Sequence, residues 1–322
     1  MRIVFLGTPD FAVPSLRAIV QAGHQVPLVA TQPDRPKGRG NILAESPVKI
    51  AARELGLEIA QPERVRRPEI IDHFREINPD LMVVVGYGQI IPQSIIDIPP
   101  YGILNVHGSL LPKYRGAAPI QWAIANGEQE TGVTIMQIDA GLDTGDMLMK
   151  RRLTIGPDET APELSLRMSR EGADALIATI DALGSKTARR EKQREDEATM
   201  APILKKEDGC VNWQRPAAEI YNRMRGFTPW PGAYTTFRDQ TLTLVRIRPV
   251  AAVPGLAPGE LRWKDRRLFA GCGMNTTLEL FEVQPAGKKR MAVDAFVNGY
   301  RPVEGEILRN GGKAGTNRPL RS

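Results

Sequence analysis

The sequence predicts an α/β protein in which a doubly wound, mostly parallel sheet domain is followed by a smaller carboxyl-terminal β-barrel domain. Short apolar runs alternate with helical patterns over the first half of the 322 residues, the order typical of βαβ units. The run Leu81–Val85 is apolar throughout, as expected of a strand covered by helices on both faces. Beyond about residue 200, short strand-like runs separated by Pro and Gly clusters are typical of a small barrel.

The elements of the first domain follow in a regular order. One helix is expected near residues 10–22, and a long one near 160–183, opened by Thr160 and closed around Gly184. Apolar, β-branched runs predict strands near residues 3–6, 26–30, 81–85, 102–106, 132–138 and 146–154. In such a sheet, reactive groups gather beyond the carboxyl ends of the strands, so the loops that follow the strands are where we look for chemistry.

A polar segment separates the two domains. Residues 185–197 contain one alanine as their only apolar residue, and we expect an exposed linker there. After it, a helix near 216–225 and a strand near 241–248 belong to the second domain. The predicted layout is a first domain at residues 1–188, a linker at 189–205, a β-barrel domain at 206–308 and a disordered tail at 309–322.

The composition argues against several classes of protein. No apolar run approaches the roughly 20 residues that span a bilayer, and Met1–Leu6 leads into a helical pattern without a cleavage-site signal. We therefore expect a cytoplasmic protein with no membrane partner. Two distant cysteines, Cys210 and Cys272, and only 3 histidines argue against a disulfide framework or a zinc site.

Basic residues are concentrated in the second domain. Of the 43 Lys+Arg and 37 Asp+Glu in the chain, 24 and 26 lie up to Lys205, which leaves 19 and 11 from Lys206 onward. A compact domain with such an excess usually meets a polyanion, because neutralising phosphates releases counterions. A solvated basic face without a partner is the alternative.

The densest chemical signal follows the strand expected near residues 102–106. It reads Asn105-Val-His107-Gly-Ser-Leu-Leu-Pro112. Because side chains alternate along a strand, Asn105 and His107 lie on the same side, at a strand end where reactive groups gather. A hydrogen-bonded structural histidine is the alternative, which the neighbouring amide makes weaker.

The next strand ends in a loop with three carboxylates, Asp139, Asp143 and Asp146, and two glycines. Three interpretations are open. The loop could bind a divalent metal ion, although oxygen ligation normally draws more ligands into one short array. Its Asp and Gly residues could serve the backbone as turn residues. A carboxylate could instead face His107, orient the imidazole and favour its protonated form.

These two segments resemble a known superfamily. Asn105–Pro112, followed by Gly141-Leu-Asp143-Thr-Gly145, is similar to the signature of formyltetrahydrofolate-dependent transferases and hydrolases, whose first domain is doubly wound. Members with different acceptors share that signature, among them sugar-nucleotide and glycinamide ribonucleotide formyltransferases. The signature alone therefore implies the chemistry and not the acceptor.

Other segments resemble the methionyl-tRNA formyltransferase family, over about residues 2 to 307. They are Phe5–Phe11, Gln32–Gly40, Lys113–Gln121, Phe227–Tyr234 and Leu280–Lys289. The family implies a folate-binding catalytic domain, a linker, and a barrel of the oligonucleotide-binding kind that helps to hold tRNA. It also implies 10-formyltetrahydrofolate as formyl donor, methionyl-initiator tRNA as acceptor and no metal ion. We expect a monomer.

Matching positions supply the site residues that the resemblance implies. The catalytic group is Asn105, His107 and Asp143. The folate-contacting stretch is Ser109, Leu110, Leu111 and Pro112. The residues expected to contact tRNA are Arg35, Lys37, Arg39 and Lys206. In the family, the loop that matches Arg35–Gly40 reaches into the acceptor end of tRNA, so Arg39, its second arginine, is the leading candidate, and a flexible solvated loop is the alternative.

The residue types of the catalytic group suit formyl transfer. An attacking amine builds negative charge on the formyl oxygen, which an amide from Asn105 and a protonated His107 would stabilise. Asp143 would balance the charge of His107 and help to manage the proton lost by the amine.

Two alternative functions are weighed against this one. Another enzyme of the superfamily, using a sugar nucleotide or a purine precursor or hydrolysing the folate, leaves the basic second domain unexplained. A tRNA-binding module with an idle first domain leaves the catalytic group unexplained. Trp230, between two prolines, is expected to anchor the packing of the second domain, with stacking on a nucleotide base as the alternative.

Overall fold

The computed structural model describes residues 1–37 and 42–310, which form two compact units. The first unit comprises Met1–Ile120, Gln129–Ile155 and Glu163–Pro202. The second comprises Gln121–Glu128, Gly156–Pro162 and the chain from Ile203. Most of the segment expected to be a linker, up to Pro202, is therefore part of the first unit.

The strands up to residue 154 are β1 (Arg2–Gly7), β2 (Gln25–Ala30), β3 (Arg35–Lys37), β4 (Ile42–Ala44), β5 (Ile59–Ala60), β6 (Leu81–Val85), β7 (Ile103–His107), β8 (Glu130–Gln137) and β9 (Met147–Thr154). The helices up to residue 184 are α1 (Val13–Gln21), α2 (Pro47–Glu54), α3 (Pro68–Ile77), α4 (Gln93–Ile96), α5 (Pro119–Ala125) and α6 (Ala161–Gly184). Short 3-10 turns lie at Asp10–Ala12 and Glu195–Glu197.

The main sheet of the first unit has the strand order β5-β2-β1-β6-β7-β8-β9. The strands from β5 to β7 pair in parallel, while β8 runs antiparallel to both β7 and β9. The order moves outward from β1 in both directions, which confirms the predicted doubly wound, mostly parallel sheet. β6 spans the predicted residues and all five of its side chains are buried, as its unbroken apolar run requires.

Local sequence explains where several elements begin and end. α2 starts at Pro47 because the Ser46 side chain accepts a hydrogen bond from the N–H of Lys49, and a proline needs no partner in the first turn. α3 ends where Asn78 adopts a left-handed conformation at φ 49°, which asparagine tolerates better than most residues.

The main segment of the second unit, from Ile203, contains one helix before its sheet and one near the end of the described residues. The helices are α7 (Ala217–Gly226) and α8 (Val293–Tyr300). The strands are β10 (Tyr234–Phe237), β11 (Gln240–Val250), β12 (Leu261–Lys264), β13 (Arg267–Cys272), β14 (Thr276–Pro285), β15 (Met291–Ala292) and β16 (Arg309–Asn310). Further 3-10 turns lie at Lys206–Gly209 and Gly273–Asn275.

The strands of the second unit form a curled antiparallel sheet. Its order is β12-β13-β14-β11-β10-β16, with β15 paired to β14. The segments that enter the two edge strands meet, because Leu308 N–H donates to Gly259 O at 2.7 Å and Leu261 N–H donates to Glu306 O at 2.8 Å. Register shifts between β11 and β14 mark irregular positions, which increase local twist. Where the sequence predicted a barrel, the structure has a curled antiparallel sheet that forms a half-barrel.

Two of the four tryptophans in this unit, Trp213 and Trp230, have opposite environments. Trp213 is 1% exposed in the core, and its indole N–H donates to the Thr235 hydroxyl at 2.9 Å. Trp230 is 56% exposed. The expectation that Trp230 anchors the packing is therefore wrong, since the proline-rich turn carries the ring outward and Trp213 fills the core.

Neither cysteine is in a disulfide. Cys272 is buried in the core of the second unit, and burial raises the pKa of its thiol to about 12, so it acts as a small apolar side chain. Cys210 is partly exposed. No helix within residues 1–37 and 42–310 has the length and apolar character needed to cross a membrane.

Candidate active site

The candidate site begins at the carboxyl end of β7. Asn105 and His107 lie two residues apart at that end and pair with Met136 and Thr134 of β8. Since side chains alternate along the strand, both project to the same side of the sheet. His107 is buried and Asn105 is partly exposed.

The ring of His107 is held from one side by its own loop. Nε2 lies 2.9 Å from the backbone carbonyl oxygen of Tyr114. A carbonyl can only accept, so Nε2 carries the proton and donates it. Nδ1 is therefore the nitrogen that faces Asp143, whose Oδ2 lies 3.7 Å away.

The carboxylate of Asp143 completes the group. Oδ1 accepts from the side-chain amide of Asn105 at 3.4 Å, and Oδ2 accepts from the backbone N–H of Gly116 at 2.8 Å. The Asp143 backbone is left-handed, at φ 52°. The structure thus brings the amide and the imidazole named from the sequence each to the carboxylate of Asp143.

The loop that carries Asp143 divides its carboxylates between two tasks. Asp139 serves the backbone, since its Oδ1 accepts from Gly141 N–H at 3.0 Å and from the Thr144 hydroxyl at 2.7 Å. Asp143 faces His107. The two aspartates therefore have different partners: Asp139 bonds its own loop, and Asp143 lies 3.7 Å from the His107 ring. Within the described ranges, no cluster of three His, Cys, Asp or Glu side chains could hold a metal ion.

The stretch expected to contact folate lies directly after β7. Ser109 is fully buried and its hydroxyl donates to Lys113 O at 2.6 Å, so this side chain holds the loop together. Leu111 and Pro112 are buried and joined by a cis peptide bond, while Leu110 is partly exposed. Of the four predicted residues, Leu110 is the one with side-chain surface available to a ligand.

The structure describes three of the four basic residues expected to contact tRNA. Arg35 is exposed on β3, which pairs with β4 in a two-stranded hairpin. Lys37 ends β3, and Arg39 lies outside the described residues. Lys206 is exposed and begins a 3-10 turn at the start of the second unit's main segment.

Sequence reasoning gave no site role to three residues near the site: Arg115, Gln193 and Glu195. Arg115 is only 5% exposed, and its guanidinium donates to both carboxylate oxygens of Glu195, at 2.9 and 2.8 Å. These hydrogen bonds lower the pKa of Glu195 and raise that of Arg115. Arg115 also donates from Nε to Oε1 of Gln193 at 3.0 Å. A lone amide in a charged segment carries no local signal that predicts such contacts.

Sequence comparison matches both units to one family. The profile described as "Formyl transferase" matches residues 1–180. The chain belongs to the formyl transferase family. The profile "Formyl transferase, C-terminal domain" matches residues 203–301 of this formyl transferase.

Close relatives cover almost the whole chain. The "Methionyl-tRNA formyltransferase" of Solibacter usitatus is 57% identical, over 97% of this chain and 99% of that protein. The protein of the same name from Koribacter versatilis is 56% identical, over 96% and 98%.

Solved structures share the fold at lower identity. WlaRD, "a sugar 3N-formyl transferase" crystallised with dTDP and 5-N-formyl-THF, aligns at TM-score 0.65 and 20% identity, over 90% of this chain and 99% of that chain. The N-formyltransferase from Helicobacter canadensis aligns at TM-score 0.64 and 19% identity, over 88% and 98%. The formyl transferase fold is thus common to enzymes whose described ligands differ from tRNA.

Proposed function

We propose that this formyl transferase moves the formyl group of 10-formyltetrahydrofolate to the α-amino group of methionyl-initiator tRNA. The observation that carries the proposal is the 57% identity, over nearly the full length of both chains, to a protein named for that reaction. The convergence of Asn105, His107 and Asp143 supplies side chains suited to the chemistry. The reaction places the protein in the cytoplasm with the machinery that starts translation.

The proposed reaction begins when the methionyl amine attacks the formyl carbon. The carbonyl electrons move to the formyl oxygen, where the amide N–H of Asn105 and a proton on Nδ1 of His107 stabilise the negative charge. Nδ1 is the nitrogen that donates to the formyl oxygen, because the proton on Nε2 is already donated to Tyr114 O. The bond from carbon to N10 of the folate then breaks, N10 takes up a proton, and the nitrogen of methionine gives one up.

Asp143 has two tasks in this proposal. Its carboxylate lies 3.7 Å from Nδ1 of His107, so it offsets the positive charge of an imidazolium. It also receives the proton that the attacking amine loses, as a general base. The 2.8 Å hydrogen bond from Gly116 N–H holds Oδ2 in place for both tasks.

We further propose that residues 109–112 support the folate and that the second unit holds tRNA. Leu110 offers exposed side-chain surface, while the buried hydroxyl of Ser109 fixes the loop from within. The second unit carries the basic excess and a curled antiparallel sheet, and both suit an oligonucleotide-binding barrel. Because all three catalytic candidates come from one chain, a monomer suffices.

Acceptor choice tests the proposed function. The protein is incubated with labelled 10-formyltetrahydrofolate and, separately, methionyl-tRNA, a dTDP-linked amino sugar, glycinamide ribonucleotide or no acceptor. Acid-stable formyl product with methionyl-tRNA alone is expected. Product with the sugar or the ribonucleotide instead, or release of formate without acceptor, would favour the alternative functions.

The same assay tests the role of His107. His107→Ala should lower kcat with methionyl-tRNA by about 10²- to 10⁴-fold, the range for loss of an acid–base or charge-stabilising group. His73→Ala is a matched control, since His73 lies partly exposed on α3, where its ring faces Glu76. Equal activity of the two variants would exclude His107 from the reaction.

Arg39 tests the tRNA contact proposed for residues 35–40. Arg39→Ala should raise the KM for methionyl-tRNA far more than the KM for 10-formyltetrahydrofolate, because it removes a cation that meets the acceptor end. Arg66→Ala, at an exposed position of the same unit, controls for general loss of charge. Unchanged use of tRNA by the Arg39 variant would remove this contact from the proposal.

A further inference from the structure

The segment that follows α6 is hydrogen-bonded at both of its ends to the parts of the chain that form the candidate site. At one end, Glu191 and the first residue of β9, Met147, exchange backbone hydrogen bonds of 2.8 and 2.9 Å. At the other end, Arg115 N–H donates to Thr199 O at 2.8 Å, and Ala201 N–H donates to Arg115 O at 2.7 Å. Residues 191–201 are therefore fixed in the first unit, and Gln193 lies between the two attachments.

The side chain of Gln193 binds the loop that carries Asp143. Its Nε2 donates one hydrogen bond to the carbonyl oxygen of Asp143 itself, at 2.7 Å, and one to that of Gly145, at 2.8 Å. Both amide protons are thus used. The two carbonyls flank Thr144, so the contact holds the backbone on the carboxyl side of Asp143.

The orientation of that amide is set by Arg115. Nε of Arg115 donates to Oε1 of Gln193 at 3.0 Å, which leaves the NH₂ end facing the two carbonyls. Arg115 is itself buried and doubly hydrogen-bonded to Glu195. Glutamine suits this position because one side chain must accept from a cation and donate twice to carbonyls.

The backbone of Asp143 needs such support. Its φ of 52° is uncommon for a residue with a Cβ, and such conformations persist where surrounding contacts hold them. A non-left-handed Asp143 would aim its side chain elsewhere and lose the contacts with Asn105 and His107. The carbonyl of the same residue is the one that Gln193 binds.

We infer that Gln193 is a positioning residue for formyl transfer: it holds Asp143 in its left-handed conformation and so aims the carboxylate at His107. Gln193 touches neither His107 nor Asn105 and acts through Asp143. The inference rests on the proposed function to the extent that Asp143 takes part in the reaction. It gives one residue of the segment after α6, Gln193, a role in the reaction through Asp143.

A double-mutant cycle tests this inference. Gln193→Ala and Gln193→Glu are made in the parent and in Asp143→Ala, and kcat and both KM values are measured with methionyl-tRNA and 10-formyltetrahydrofolate. In the parent, each change at 193 should lower kcat by roughly 10- to 100-fold, the size expected when a reacting group is displaced by about 1 Å. Both KM values should stay within about threefold.

In the Asp143→Ala protein, the same changes should lower kcat by less than about twofold, because the group that Gln193 positions is gone. Asp196→Ala, an exposed neighbour with a side chain paired to Arg194, should leave kcat within about twofold. Gln193→Glu keeps the size of glutamine but places an oxygen against the two carbonyls. It therefore shows how much of the loss in Gln193→Ala comes from the missing hydrogen-bond donor and how much from the missing side-chain volume.

Full activity of Gln193→Glu, or an equal loss in kcat with and without Asp143, would overturn the inference. Folded fractions from thermal denaturation normalise each kcat, so a partly unfolded variant still gives a result. Hydrolysis of 10-formyltetrahydrofolate without acceptor is followed in the same variants. A parent that ignores methionyl-tRNA would contradict the proposed function, while the hydrolysis rates would still decide the role of Gln193.

Discussion

The backbone N–H of Gly116 donates a 2.8 Å hydrogen bond to Oδ2 of Asp143, the same oxygen that faces Nδ1 of His107. The loop after β7 and the loop after β8 are thereby joined at the candidate active site. The donor that holds this carboxylate is a backbone N–H, so no side chain that could bind the substrate is occupied by the contact. The contact also makes the conformation of Gly116 important for the site.

Replacement of Asp143 by asparagine should disable catalysis while preserving the fold. An amide that keeps its oxygen toward Gly116 N–H turns its NH₂ toward the amide of Asn105, and it no longer offsets charge on His107. We expect kcat to fall by about 10²- to 10⁴-fold. Steady-state kinetics measures kcat of Asp143→Asn, with Asp174→Asn, at an exposed position on α6, as the control. Equal kcat values for the two variants would contradict a catalytic role of Asp143.

Gly116→Ala should cost both stability and activity. The residue has φ 118°, and an added Cβ would meet the carbonyl oxygen of Ala201 at 2.7 Å, so the loop must shift and its N–H must leave Asp143. We expect a loss of about 1 to 3 kcal/mol in the free energy of unfolding, measured by urea denaturation.

Gly23→Ala is the control for that variant. Gly23 also has a positive φ, of 78°, but an added Cβ meets nothing within 4 Å. It should lose about 1 kcal/mol from backbone strain alone and keep full activity. A Gly116 variant no worse than the Gly23 variant would show that the close approach to Ala201 is easily relieved.

The Arg115–Glu195 pair makes a stability prediction that depends on pH. Hydrogen bonds from Arg115 lower the pKa of Glu195 below its usual 4.5, so the stabilisation is present above that pH and is lost as the pH falls through the folded-state pKa. Glu195→Gln should therefore unfold at lower urea concentration than the parent at pH 7. The difference should narrow as the pH falls below 4.5.

Glu171→Gln, at an exposed site on α6, controls for loss of a carboxylate without this partner. Its urea midpoint should equal that of the parent at pH 7 and at pH 3.5. A difference between parent and Glu195→Gln that stays constant from pH 7 to pH 3.5 would mean that the pair adds nothing through its charge.

Variants of Trp213 and Trp230 should separate folding from tRNA use. Trp213→Ala removes a buried ring and the hydrogen bond to Thr235, and it should cost about 3 to 5 kcal/mol in the free energy of unfolding. Trp230→Ala should change that quantity by less than about 0.5 kcal/mol, because the ring is exposed.

If Trp230 stacks on a base, its removal should weaken binding of methionyl-tRNA by about 1 to 3 kcal/mol. Denaturation and tRNA titration of both variants measure these effects. A large loss of stability in the Trp230 variant would restore a packing role for that ring.

Sequence patterns were enough to predict most strands of the main sheet in the first unit. Apolar runs and helical periodicity located strands β1, β2, β6, β7, β8 and β9 and helix α6 within a few residues. The period of two along β7 placed Asn105 and His107 on one side. These features are local, because backbone hydrogen bonding and burial impose their periods directly on neighbouring residues.

The arrangement of the site was decided by the tertiary structure. The contacts that matter join residues 38, 50 and 80 positions apart: Asn105 with Asp143, Asp143 with Gln193, and Arg115 with Glu195. Residue patterns alone left open which aspartate of the loop faces His107, and only the family resemblance singled out Asp143. Neither gave Gln193 a role within a segment expected to be exposed. Pairings at such separations depend on how strands and loops pack, and no local period in the chain records that packing.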